Sequence, residues 1–149
     1  MKLYTRGVYK NMNPRLHWQI HKLAFLLEKR ADESLKKQAG IGFAQYKVLE
    51  AIGRNALAKQ NMIAELLDQT EASISRQIKI LEKRGLIVVG TVMGNKRARE
   101  LTLTDKGEEL LRQCEQALES AHGQVFGNLS YEDQQQFVEL FERILARIR

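Results

Sequence analysis

Between Gly85 and Thr104 the spacing of apolar residues changes from helical to alternating and back again. Leu86-Ile87-Val88-Val89 is short, apolar and largely β-branched, which predicts a strand. Arg99-Glu100-Leu101-Thr102-Leu103 alternates polar and apolar, which predicts a second strand. Gly90 to Asn95 supplies turn residues between them, and Lys96, Arg97 and Arg99 make the tip basic. A single hairpin between long helical patterns limits the fold to a mainly α architecture with one small β ribbon.

The helical segments carry their own punctuation. Asn13-Pro14 opens the first: Asn is a good N-cap, and proline loses nothing at the first helical position. Leu16, Ile20, Leu23, Ala24, Leu27, Ala31 and Leu35 then recur at helical spacing until Gly40 and Gly42, which predicts a helix over 14–38. Phe43, Tyr46, Val48, Leu49 and Ile52 predict a second over 43–53. A short helix over 60–67, a turn at Asp68-Gln69 and a helix over 71–84 capped by Thr70 follow. After the hairpin, Thr104 caps a long helix over 105–126, and Gly127-Asn128 break it. Ser130 and Asp133 form a capping-box-like start for a last helix over 130–149, with Phe137, Leu140, Phe141, Ile144, Leu145 and Ile148 as its stripe.

Composition narrows the function classes. A chain of 149 residues fits one domain. A lone Cys114 excludes a disulfide framework and any cysteine-cluster metal site within one chain. No apolar run approaches the ~20 residues of a membrane span, and residues 1–18 lack the apolar core of a secretory signal, so a cytoplasmic setting is expected. The net charge of +6 is uneven: residues 1–69 carry +6, 70–107 carry +4, and 108–149 carry −4. A basic first two thirds makes nucleic acid the first partner to consider.

Helix, tight turn and helix is the arrangement in which the second helix can enter a DNA major groove. Projected at 100° per residue, Ile74, Ile78 and Leu81 of the 71–84 helix fall on one side. Ala72, Ser75, Arg76, Lys79 and Lys83 fall opposite, with Ser73 and Ile80 on the margin. Small residues near the start allow close approach to base edges, and Arg76 has the reach for guanine acceptors or a phosphate. The basic hairpin tip suits the minor groove, where negative potential is enhanced.

Several runs form a recognisable set: Ile63-Ala64-Glu65-Leu66-Leu67, Thr70 to Arg76, Leu81-Glu82-Lys83-Arg84-Gly85-Leu86-Ile87, and Leu103-Thr104-Asp105-Lys106-Gly107. Together they resemble the MarR (multiple antibiotic resistance regulator) family. The resemblance implies a winged helix-turn-helix over 41–104 with dimerisation helices at 13–40 and 105–149. It implies a homodimeric transcriptional regulator on a pseudo-palindromic operator of double-stranded DNA, a repressor released by a small aromatic ligand. It carries the family's wing arginine onto Arg97 and its recognition-helix polar positions onto Ser73, Ser75 and Arg76. Two positions depart from the pattern: Asn95 stands where the family's wing has Asp, and Val89 stands where an Arg is common. The alternative is a protein-interaction module built on the same fold without DNA binding.

Other chemistry finds little footing. His17 and His21 lie one helical turn apart, yet residues 17–21 read HWQIH, which lacks the glutamate of a zinc protease. His17 with Trp18 is the candidate wall of an aromatic ligand pocket. No phosphate-binding glycine loop and no Ser/His/Asp arrangement is present, so no enzyme activity, cofactor or resident metal is expected. Redox-sensing relatives use a cysteine near the start of the first helix, where this chain has none.

Overall fold

The computed structural model describes residues 13–56, 58–92 and 95–148, without the side chains of Pro14 and of residues 91–99. In chain order the elements are α1 (Pro14–Ala39), α2 (Phe43–Gly53), α3 (Gln60–Leu66), α4 (Glu71–Lys83), β1 (Ile87–Val92), β2 (Asn95–Leu103), α5 (Asp105–Phe126) and α6 (Tyr131–Leu145). Four helices start on a side-chain cap. Asn13 accepts from the Arg15 amide at 3.0 Å, Thr70 from Ser73 at 3.2 Å, Thr104 from Gly107 at 3.0 Å and Ser130 from Asp133 at 3.1 Å. Each such cap stabilises its helix by about 1 kcal/mol.

The core lies where the second half of α1, α2, α4 and the middle of α5 meet. Ala31 and Leu35, Val48 and Leu49, Ile74 and Leu81, and Cys114 and Ala117 are buried there, and Ile63 of α3 closes one side. Each fully buried Leu or Ile contributes roughly 1.5–3 kcal/mol of apolar transfer. No described residue of α1 before Ala31 is buried, and none of α6 is.

β1 and β2 form the antiparallel ribbon, in register from Ile87 opposite Leu103 to Thr91 opposite Arg99, with an irregularity before Val92 meets Asn95. The ribbon is longer than the residue pattern predicts. Gly90, Thr91 and Val92 extend β1 instead of turning, because antiparallel pairing uses backbone groups and tolerates a glycine opposite Glu100. At the ribbon's base the Leu101 amide donates to the Ala58 carbonyl at 2.9 Å, which ties the α2–α3 connection to the hairpin. The mainly α winged helix expected from the sequence is the observed fold. The last helix is shorter than predicted: past Leu145 the chain tightens, with Arg147 and Ile148 donating to carbonyls three residues back.

One junction joins α4, the ribbon and α5. Gly85 ends α4 with a left-handed φ of 69°, which a glycine adopts without the steric cost of a Cβ. The Thr104 hydroxyl donates to the Gly85 carbonyl at 2.8 Å, the Thr104 amide to Leu86 at 3.1 Å and the Lys106 ammonium to the Arg84 carbonyl at 2.7 Å. Gly107 lies directly against this segment: a Cβ built there would stand 2.0 Å from the Leu86 carbonyl oxygen. Both are backbone, so no rotamer change relieves the clash. We expect Gly107→Ala to destabilise the fold by about 3 kcal/mol. Urea titration of variant against parent checks this, and a loss under about 1 kcal/mol would show that the junction yields.

Candidate nucleic-acid interface

The α3–α4 turn is built tightly. The Gln69 amide reaches back to the Ala64 carbonyl at 2.9 Å, and Asp68 takes a positive φ of 51°, a region that Asp enters more readily than most residues. Thr70 then starts α4 with its inward face set by Ile74, Ile78 and Leu81, all buried as the helical projection predicts.

On the other side Ala72, Arg76, Lys79 and Lys83 are exposed, and Ser75 is half-buried. Ser73 is half-buried too, and its hydroxyl donates to Gln69 Oε1 at 3.1 Å. Gln69 is a neighbour that the residue pattern did not single out. Ile80, on the predicted margin, stands 41% exposed beside the cations. Elsewhere charges pair along their own helices, as in Lys36–Asp32 at 2.6 Å, Arg54–Glu50 at 2.8 Å and Arg112–Glu109 at 2.7 Å. Among the described residues no carboxylate pairs with Arg76, Lys79 or Lys83. These three cations follow at i+3 and i+4, a spacing at which like charges repel by a few tenths of a kcal/mol. The helix thus carries a row of three exposed cations held in no ion pair, outnumbering its Glu71 and Glu82.

The side chains of Lys96, Arg97 and Arg99 lie outside the described residues. The β2 backbone that bears them runs outward from the junction next to α4. His17 and Trp18 are both exposed on α1. The rings of His17 and His21 meet edge to face at 4.5 Å, and the Lys22 ammonium sits 4.6 Å over the Trp18 ring. Neither lines the two apolar grooves between α1 and α6, of about 330 and 540 Å³, which Leu23, Phe137 and Phe141 share. Among the described residues no three His, Cys, Asp or Glu side chains are grouped to hold a metal ion. No helix there is long and apolar enough to cross a membrane.

Comparison with known proteins decides the family. A model of the MarR family matches residues 39–98. The transcriptional regulator HosA of Escherichia coli is 30% identical over 101 residues, which span 68% of this chain and 75% of HosA. The chain belongs to the MarR family. Its fold overlays on Sco3205, a MarR-family regulator of Streptomyces coelicolor solved in complex with DNA, with a TM-score of 0.76 and 29% identity, covering 89% of this chain and 84% of that one. It overlays equally on apo MarR of E. coli, with a TM-score of 0.78 and 23% identity over 91% and 99% of the two chains. These relatives are transcriptional regulators of the MarR family, not enzymes.

In this MarR-family chain the one cysteine is packed away. Cys114 is fully buried on α5, and desolvation, with the Glu115 charge adding to it, pushes its thiol up from 9.0 to about 11. A neutral thiol without access is a poor nucleophile. Because the folded value is raised, the stability tied to this group is complete below pH 9 and is lost as pH climbs toward about 11. Native protein at pH 8 should leave Cys114 untouched by a chromogenic disulfide reagent, while denatured protein reacts fully; rapid native labelling would contradict the burial.

Proposed function

We propose that this chain is a homodimeric repressor that binds a pseudo-palindromic operator in double-stranded DNA and is released by a small aromatic ligand. Region 41–104 reads DNA, while 13–40 and 105–149 hold two copies together. One observation carries the reading: the row of Arg76, Lys79 and Lys83, exposed and in no ion pair, on the outer face of α4 beside the base of the ribbon. Such a face matches a phosphate-lined major groove, with Arg76, Ser73 and Ser75 nearest base edges and Lys79 and Lys83 on the backbone. Lys96, Arg97 and Arg99 on the wing engage the adjacent minor groove.

Dimerisation follows from the apolar residues that the chain leaves uncovered. On α6, Phe137, Leu140 and Ile144 are 41%, 53% and 39% exposed, and on α1 Phe25 and Leu26 are 67% and 47% exposed. Large apolar residues left exposed on two helices in this number point to an interface. Two copies would set their α4 helices one duplex turn apart, ~34–36 Å. His17 and Trp18, on the exposed half of α1, are the residues assigned to the ligand. A regulator of this kind works in the cytoplasm. The protein-interaction alternative lacks a comparable observation, since it gives the cationic stripe no partner.

DNA binding should weaken linearly in log–log form as salt rises, with a slope of about −0.9 per phosphate neutralised. A flat response in a polarisation titration at several salt concentrations would favour the protein-interaction reading. On a selected operator, Arg76→Ala should reduce discrimination against a mismatched base pair by ~1–3 kcal/mol. Arg97→Ala should lower affinity while sedimentation still reports a dimer. Unchanged affinity in the second variant would remove the wing from the mechanism.

A further inference from the structure

Within α2 the start is capped only by Gln45, whose Oε1 accepts from the Gly42 amide at 3.5 Å. Its N-cap is Gly42, which has no side chain to accept a first-turn amide. The Phe43 amide instead donates to Asp32 Oδ1 at 2.9 Å, across the corner from α1 and eleven residues back. The other carboxylate oxygen, Oδ2, receives the Lys36 ammonium at 2.6 Å. The carboxylate thus meets the positive end of α2 on one side and a cation on the other, and both contacts favour its charged form. Space at the corner suits this arrangement: a Cβ on Gly42 would come to 3.3 Å from Asp32 Oδ1 and 3.7 Å from Lys36 Cε. A residue able to cap α2 locally would crowd the group that caps it from outside.

The two helices so joined share the core but lead toward different elements. α1 is bound to α5, where the Ser34 hydroxyl donates to the Ala117 carbonyl at 3.0 Å. α2 packs on α4 through the buried core. Only residues 40–42 separate α1 from α2; beside the apolar packing of Ala31, Leu35 and Ile41, the hydrogen bonds across that corner are Ile41 to Leu35 at 3.5 Å and Phe43 to Asp32.

We infer that Asp32 is a positioning residue that sets the angle between α1 and the DNA-reading unit, and thereby the separation of the two α4 helices in the dimer. The inference rests on the dimeric DNA-binding reading above. Its readout is selectivity for half-site spacing. Loss of the carboxylate leaves the α4 surface intact and lets each reading unit adjust to spacings that the parent rejects.

The test uses Asp32→Ala, Asp32→Asn and the double variant Asp32→Ala with Gly42→Ser, which gives α2 a local cap. Each is assayed by sedimentation, by thermal melting, and on a selected operator and the same operator lengthened by one base pair. Spin labels at Lys29→Cys on α1 and Glu82→Cys on α4, with labelled chains diluted into unlabelled ones, report the distance between the two parts. Both single variants should remain dimers; Asp32→Ala should broaden the distance distribution and cut the affinity ratio between the two spacings by roughly fivefold, the scale of modest coupling between distant sites, and Asp32→Asn, whose amide oxygen still accepts from Phe43, should do so less. The added serine should restore melting temperature but neither the narrow distribution nor the spacing ratio. If it restores all three, Asp32 is only a helix cap and the inference falls. It also falls if the single variants keep the parent's distances and ratio. If the parent binds no DNA, the functional reading fails on its own, and the label distances still decide whether Asp32 holds the corner.

Discussion

The close approach of Gly107 to the Leu86 carbonyl holds the architecture in place. Around it, Thr104 and Lys106 satisfy the last carbonyls of α4 and its following turn, which would otherwise be unpaired at a helix end. Three elements therefore converge on a few backbone atoms: the end of the cationic helix, the base of the ribbon, and the first turn of the longest core helix after α1. Their mutual angles are set by hydrogen bonds to main chain, which have little freedom to drift. The run Leu103-Thr104-Asp105-Lys106-Gly107, noticed first as a family resemblance, thus has a mechanical meaning. Its threonine caps α5 and ties back to α4, and its glycine admits the crossing chain.

Charge is arranged differently on the two sides of this junction. Along α1, α2 and α5 some acids and bases pair within a helix or at its end, contacts that contribute little to stability. On α4 Arg76, Lys79 and Lys83 make no such pair, although Glu71 and Glu82 lie on the same helix. The first two thirds of the chain carries the positive balance, and the acidic tail in α5 and α6 lies elsewhere in the chain order.

Much of the fold was legible because its signals are local. Asn13, Thr70, Thr104 and Ser130 read as caps, and each accepts the amide that a cap should. Ile74, Ile78 and Leu81 point inward as a period of 3.6 requires. The ribbon's true length was hidden because Gly90 and Thr91 look like turn residues, whereas strand pairing is decided by the partner chain. The overshoot at the end of α6 has a similar cause: Ile148 continues the apolar period, yet the final turn lacks the hydrogen bonds that sustain an α-helix. Asp32 was invisible as anything but a surface acid, since its partner lies across a corner that no periodicity marks. The candidate DNA face was readable on α4 but not on the wing, whose basic residues were identified by type and whose side chains fall outside the described residues.

α6 has fifteen residues and buries none of them. A peptide of that length is only marginally helical in water. In the proposed homodimer a partner chain would cover its exposed apolar stripe, and ordering of the tail would then be coupled to association of chains. Diluting such a dimer would act on this helix before it reached the core.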